Sequence, residues 1–313
     1  MRILVAGASG FVGARLCPAL VADGHQVVAM TRYPENYRGA GTAVGADVAD
    51  EDSLAAACAG CDAAYYLVHS LDVADFSEQD ARAALSFAAA AGAAGLTRIV
   101  YLGGLGEDAD DLSAHLRSRR AVEGLLGSTG VTVISLRAGI IVGHGGISWE
   151  LTRQLVEHLP VMITPLWVRT RAQPIAIADV VRYLVGVLTL GGTDAVSRSF
   201  DIGGPEVLTY LEMMRRVAVI EGRRMVVVPV PLLSPRLSSR WLSLVTDVDV
   251  ATGRSLIDSM SNEVIVREDS IRALVPFEPM GYDQAVLQAL GERAAARRAP
   301  AGFPPAIVTP RTP

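Results

Sequence analysis

Cysteine is nearly absent: Cys17, Cys58 and Cys61 are the only three in 313 residues. An odd, small number excludes a disulfide framework as the source of stability. Cys58 and Cys61 do form a C-x-x-C in ACAGCDAAYY. A redox pair belongs at a helix N-terminus, where the dipole lowers the thiol pKa. This one closes an Ala-rich helical stretch before a strand, so it reads as a small apolar turn, not a redox or metal site, and no metal is expected. Aromatic residues are scarce too, at 5%. No run of about 18 uncharged apolar residues occurs, so no spanning helix is expected. Positive charge is not in excess: 28 Lys and Arg against 33 Asp and Glu leave a formal net charge of −5. Nucleic acid is therefore a poor partner on bulk electrostatics. The sequence opens directly on the strand-like RILVAG, which predicts a cytoplasmic protein without a signal peptide.

What is present in abundance is apolar residue, half of the chain, together with 30 Gly. This mix belongs to α/β enzymes. RILVAG, QVVAM, TAVGAD, AAYYLV, RIVYLG and VTVISLR read as strands. FVGARLCPALVADG, EDSLAAACAG, FSEQDARAALSFAAAAGAAG and LSAHLRSRRAVEGLLGSTG read as the helices between them, each closed by a capping Gly. Alternation with strands this apolar predicts a parallel sheet covered on both faces. The expected fold is a doubly wound Rossmann domain over residues 1–146, completed by about 172–203. A smaller α+β substrate lobe is expected over 147–171 and 204–291, with strand-like RRMVVVPVP and NEVIVRED. A disordered Ala/Arg/Pro tail is expected over 292–313.

The strongest local signal is GASGFVG at 7–13, after the first strand and opening the first helix. Gly7 allows a tight turn, Gly10 close approach of a pyrophosphate, and Gly13 packing of helix on strand. The free amides of the helix start then face the phosphates. Such a loop in that position points to a dinucleotide. At the end of the second strand, where an NAD site places an acid, this sequence has Thr31 and Arg32. A basic residue there favours the 2′-phosphate of NADP(H) over NAD(H), the alternative being a surface Arg. Asp47, with Val48, is expected near the adenine or else serves as a turn residue.

With the loop in place, the chain resembles the short-chain dehydrogenase/reductases, in particular their extended and atypical branches. GASGFVG, YYLVHS, RIVYLGGLG, LRAGIIVG, PIAIADV and FDIGGPEVLTY carry the likeness over roughly residues 1–290. It is similar to NmrA-like NAD(P)H-binding members and to the NADPH-holding accessory subunit of respiratory complex I. The resemblance implies cofactor contacts from Gly7, Ser9, Gly10, Phe11, Val12 and Gly13. Further contacts would come from Arg32, Asp47 and Val48, then Leu67, Val68 and His69, and lastly Gly103 and Arg119. It also implies a Ser, Tyr and Lys triad, whose positions fall here on Gly103–Gly104, His115 and Arg119. All three residue types are replaced. His115, Arg119, Val122 and Leu126 share one helical face. Arg119 can still bond a nicotinamide ribose, while a guanidinium one turn away keeps His115 neutral and a poor acid. Ser70 or His69, at the end of the fourth strand, could supply the missing donor or only line the pocket. Arg137 and Asp179 are expected to tie the lobes together.

In the second lobe WVRTR offers Trp167, Arg169 and Arg171 as a substrate contact, with both Arg on one face of an extended segment or simply exposed. PRLSSRWLSLV aligns Leu237, Trp241, Leu244 and Val245, either as lobe core or as an interfacial helix on a membrane surface. Three functions follow. The first is an NADP(H)-dependent oxidoreductase acting on a small apolar quinone-, enone- or lipid-like substrate. The second is a non-catalytic NADP(H)-binding redox sensor or accessory module, with a protein partner or second copy. The third is a nucleotide-sugar epimerase or dehydratase, which lacks its Tyr.

Overall fold

The computed structural model describes residues 1–69, 76–106, 111–158, 161–164, 166–191, 196–229 and 258–298. Seven parallel strands form one sheet: β1 (Arg2–Ala6), β2 (Gln26–Thr31), β3 (Thr42–Gly45), β4 (Ala63–Tyr66), β5 (Arg98–Gly104), β6 (Thr132–Ala138) and β11 (Arg198–Ile202). Their order is β11-β6-β5-β4-β1-β2-β3. This is the Rossmann-like arrangement, in which the order reverses between β1 and β4 and opens a crevice at the carboxyl edge. β1 shows why the sheet is parallel: four of its five residues, Ile3 to Ala6, are wholly inaccessible. Such strands need helices on both faces.

Helices α1 (Gly13–Ala22) and α6 (Ile177–Val187) cover one face. There Leu16, Leu20, Val180 and Leu184 pack against Ile3, Val5, Tyr65 and Val100. Helices α2 (Glu51–Cys58), α3 (Phe76–Ala93) and α4 (Ala114–Leu126) lie on the side of Leu4, Tyr66 and Tyr101. Cys58 and Cys61 are buried and unbridged there. Burial, then the neighbouring Cys61, pushes the Cys58 thiol up to about 11, so it stays a protonated apolar side chain.

A second core forms around Trp149, Leu151, Met213, Val217 and Val286. It is built by α5 (Ile147–His158), α7 (Tyr210–Ile220) and a last helix, α9 (Tyr282–Arg298); the short α8 is Ile271–Leu274. Three two-stranded pairs accompany it. They join β7 (Ile141–Val142) to β10 (Ile175–Ala176), β8 (Val161–Thr164) to β13 (Val226–Pro229), and β9 (Arg171–Ala172) to β12 (Leu208–Thr209). Two local expectations change. NEVIVRED contributes one isolated bridge, Val264 to Ala172, in place of a strand: Val264 bonds Arg171 and Gln173 through its backbone, but the N–H of Val266 goes to the Gln173 side chain at 3.0 Å. The tail expected from residue 292 begins inside α9, which runs to Arg298 on the strength of buried Val286 and Ala289. Residues 299–313 and the PRLSSRWLSLV segment lie outside the described residues.

One buried charge ties the two layers together. Arg98, only 5% exposed at the start of β5, donates to the carbonyls of Val187, Leu188 and Leu190 at the end of α6. A cation on a helix C-terminus satisfies carbonyls that have no partner within the helix. Arg98→Met leaves these acceptors buried and unpaired, so a loss of about 3 kcal/mol is expected, read as an earlier midpoint in urea unfolding.

Candidate active site

The glycine loop is shaped by steric limits that leave no alternative residue. Gly7 sits at φ +88°, and a Cβ there would lie 3.1 Å from the Leu67 carbonyl oxygen. A Cβ on Gly13 would lie 2.2 Å from the Gly7 oxygen, well inside contact distance. The loop therefore folds back on itself, with the Gly10 N–H donating to Gly7 at 3.0 Å. Helix α1 carries no side-chain cap, and the N–H groups of Phe11 and Val12 have no protein acceptor among the described residues. Free amides over a glycine cradle at a helix start fit a pyrophosphate.

The loop closes against the neighbouring strand end. Leu67 donates its N–H to Ala6 at 3.0 Å, and Val68 and His69 follow along the crevice edge. Across β2, Thr31 is buried and accepts the Tyr33 N–H at 3.3 Å. Arg32 is exposed, with its guanidinium carbon 5.9 Å from the Tyr33 ring and no ion pair among the described residues. Asp47 accepts the Ala49 N–H at 3.0 Å and so shapes the turn into α2. Val48 is half-buried beside it.

His115 and Arg119 lie on α4, whose start is anchored from the second lobe. Ser113 caps it, contacts Ser259 Oγ at 2.9 Å, and donates its N–H to Asn262 at 3.0 Å. Helix and strand meet closely at the triad position. A Cβ on Gly104 would lie 2.9 Å from Leu116 Cδ2 and 3.6 Å from Arg119 Cγ; one on Gly103 would lie 2.9 Å from the Tyr101 ring. The Tyr101 hydroxyl beneath donates to the Arg119 carbonyl at 3.2 Å. Arg119 forms no ion pair among the described residues, so its charge acts on its neighbours. Burial first, then Arg119, lowers the His115 pKa to about 3. Burial, Arg119 and His115 push His69 well below its usual range. His69 remains solvent-accessible although protein surrounds it, as on the wall of a cleft. Among the described residues, the arrangement is one guanidinium without an ion pair and two neutral imidazoles in its field.

Glu123 and Arg137, from α4 and β6, form a bidentate pair at 2.6 and 2.9 Å. Arg137 thus fastens α4 to the sheet, and among the described residues its side-chain partner is Glu123 and not a group of the second lobe. Asp179 does reach outward, accepting the Met280 N–H at 2.7 Å just before α9. The outer pocket changes more. Trp167 and Arg169 lie in a 3-10 turn (Leu166–Arg169), and Arg171 in β9 is paired with Glu263 at 2.7 Å. Arg169 and Arg171 therefore share no extended face: the 3-10 turn rotates one away, and Glu263 neutralises the other. Trp167 packs edge-on to Tyr210, with ring centroids 5.8 Å apart. Ser70 lies outside the described residues. Sequence reading missed Tyr101 and a group of ion pairs around Arg15; the Arg15 helix position alone gave no sign of them.

Residues 7–151 match the family model described as NAD(P)H-binding. That match, together with the seven-stranded parallel sheet and the glycine loop, gives the chain an NAD(P)H-binding domain of Rossmann-like fold. The chain is 28% identical over 234 residues to an uncharacterized protein of Mycobacterium tuberculosis, covering 74% of the chain and 25% of that relative. It thus spans about a quarter of the length of that curated relative. It is 46% identical over 69 residues, 21% of each chain, to a 2-alkyl-3-oxoalkanoate reductase of Stenotrophomonas maltophilia. Among solved structures it resembles an NADPH-dependent quinone oxidoreductase of Escherichia coli, in complex with NADPH, at TM-score 0.75 and 20% identity. That match covers 93% of this chain and all of the other. A nucleoside-diphosphate-sugar epimerase of Staphylococcus aureus aligns at TM-score 0.74 and 16% identity, over 92% and 100% of the two chains. At these identities both show the shared fold. No helix among the described residues is long and apolar enough to cross a membrane.

The depressed His115 has a direct readout. The unfolded chain takes up a proton at the ordinary value of 6.5, which the native site refuses down to about 3. His115 therefore lowers stability as pH falls below 6.5, and its ring stays neutral at neutral pH. NMR of ring-labelled histidine is expected to show no titration of His115 between about pH 5 and 8 in the wild type. An Arg119→Ala variant is expected to raise that pKa.

Proposed function

We propose that this protein is an NADP(H)-dependent oxidoreductase acting on a small, largely apolar carbonyl compound such as a quinone, an enone or a lipid-like ketone. The carrying observation is the Arg119 guanidinium, without an ion pair among the described residues, at the triad position, held against the end of β5 at Gly104, beside the crevice that the glycine loop opens. NADPH, when bound, supplies a hydride. The remaining work falls to the chain. The free amides of Phe11 and Val12 would hold phosphate, and the exposed Arg32, with no carboxylate on it among the described residues, suits a 2′-phosphate.

Arg119 would bond the nicotinamide ribose in the role of the family's Lys and keep the imidazoles neutral. A neutral His115 can donate an N–H hydrogen bond to a substrate oxygen, but at pH 7 it holds no extra proton to transfer. Charge developing on that oxygen would then be stabilised by the field of Arg119. Trp167 and its Tyr210 partner offer an apolar wall in the second lobe. The NADPH-dependent quinone oxidoreductase with the same fold, and the short match to an oxoalkanoate reductase, support a reductive reading.

A second reading is a non-catalytic NADP(H)-binding sensor or accessory module. Its support is specific: no hydroxyl stands at Gly103–Gly104, and both imidazoles near Arg119 are held neutral. An epimerase has the fold but not the Tyr.

Titration by cofactor fluorescence separates these readings. NADPH is expected to bind at least about tenfold more tightly than NADH, and Arg32→Ala to remove most of that difference. Slow NADPH consumption with a panel of quinones and enones is expected for the oxidoreductase. Tight NADPH binding without turnover would favour the module, and failure to bind either nucleotide would remove both.

A further inference from the structure

Outside the crevice, the most developed polar construction among the described residues surrounds Arg15, two residues past the glycine loop. Its Nη1 donates to the Phe11 carbonyl at 2.9 Å, inside the loop itself. Its Nη2 donates to the His144 carbonyl at 2.8 Å and to Glu292 of α9 at 2.7 Å. The guanidinium carbon stands 4.8 Å from the centroid of the Phe11 ring. That ring fills space left by two glycines of the 143–146 turn: a Cβ on Gly146 would lie 2.7 Å from it, and one on Gly143 3.1 Å. Phe11 is thus gripped from two sides.

The contacts then close on themselves. His144 Nδ1 lies 3.1 Å from Glu150, which also accepts the Gly145 N–H at 3.0 Å and pairs with Arg153 at 2.9 Å. Arg153 pairs with Glu157, and Glu157 with Arg293 at 3.2 Å, next in sequence to Glu292. Burial alone would raise Glu150, but the Gly145 N–H, Arg153 and His144 together hold it below the usual carboxylate range. The ring of ion pairs therefore joins the glycine loop, the 143–146 turn, α5 and α9.

We propose that Arg15 is a positioning residue for pyrophosphate binding: locked by Glu292 and the His144 carbonyl, it fixes the Phe11 carbonyl and ring. The peptide plane carrying the free Val12 N–H is thereby held in its phosphate-binding orientation. Arg15 does not itself meet phosphate, since its charge is balanced by Glu292 and both of its terminal nitrogens are engaged. The Phe11 carbonyl and the Val12 N–H belong to one peptide group, so fixing the first aims the second. The proposal rests on the dinucleotide reading of the loop, and it makes the C-terminal helix part of the cofactor site.

The test compares Arg15→Met, Glu292→Gln and the double variant in binding to three probes: NADPH, ADP and adenosine 2′-monophosphate. NADPH and ADP contain a pyrophosphate; adenosine 2′-monophosphate does not. Each single variant is expected to weaken NADPH and ADP about five- to tenfold, as for loss of a charge-assisted contact. The double variant should be no weaker than Arg15→Met alone, because both changes break one linkage. Binding of adenosine 2′-monophosphate should be unchanged, which a general loss of structure would not allow. Should Arg15→Met not fold, Glu292→Gln, which removes one charge and keeps shape, decides alone. Unchanged NADPH affinity in folded Glu292→Gln, or equal weakening of all three probes, overturns the proposal. Wild-type protein that binds no NADPH would instead overturn the cofactor reading beneath it.

Discussion

The contact on which the site depends is the one between Gly13 and the Gly7 carbonyl. A methyl group there would come within 2.2 Å of that oxygen, so the first helix can approach the first strand only through a hydrogen. Everything downstream uses that approach. It leaves the Phe11 and Val12 amides turned outward, places Leu67 against Gly7, and sets the loop at the point where strand order reverses between β1 and β4. The sheet supplies rigidity for this geometry because its central strands are inaccessible on both faces.

Around that fixed point the molecule departs from the usual chemistry of its fold in a physically consistent way. Gly103 and Gly104 leave no hydroxyl, and the space a side chain would need is taken by Tyr101 and Leu116. Among the described residues Arg119 has no acid partner, and burial together with its field keeps His69 and His115 uncharged. A site of this kind can hold a developing anion far better than it can deliver a proton. Under the proposed function, that property would favour acceptors whose reduced form tolerates negative charge, among them quinones and enones.

The fold was largely legible in the sequence. Apolar strands alternating with Ala-rich helices specify a covered parallel sheet, and GASGFVG marks its functional edge. His115 and Arg119 were legible as a pair because four residues is one helical turn, and Arg119 gave the sign of the His115 shift, although burial, the larger cause, was not visible in the sequence. What was not legible depends on contacts distant in sequence. Arg171 looked like half of a basic face until Glu263, 92 residues away, paired with it. The end of α9 was obscured by Ala and Arg composition, whereas its inner residues pack on the second core. The Arg15–Glu292 link spans 277 positions, and nothing local to either residue announces it.

The central claim, that the site stabilises an anion without supplying a proton, is tested most directly by the pH dependence of NADPH oxidation by a quinone in single turnover. The account predicts a rate without inflection between about pH 5.5 and 8, unchanged in form by His115→Ala. An inflection in that range that disappears in His115→Ala would show the imidazole acting as a proton donor and would contradict the account.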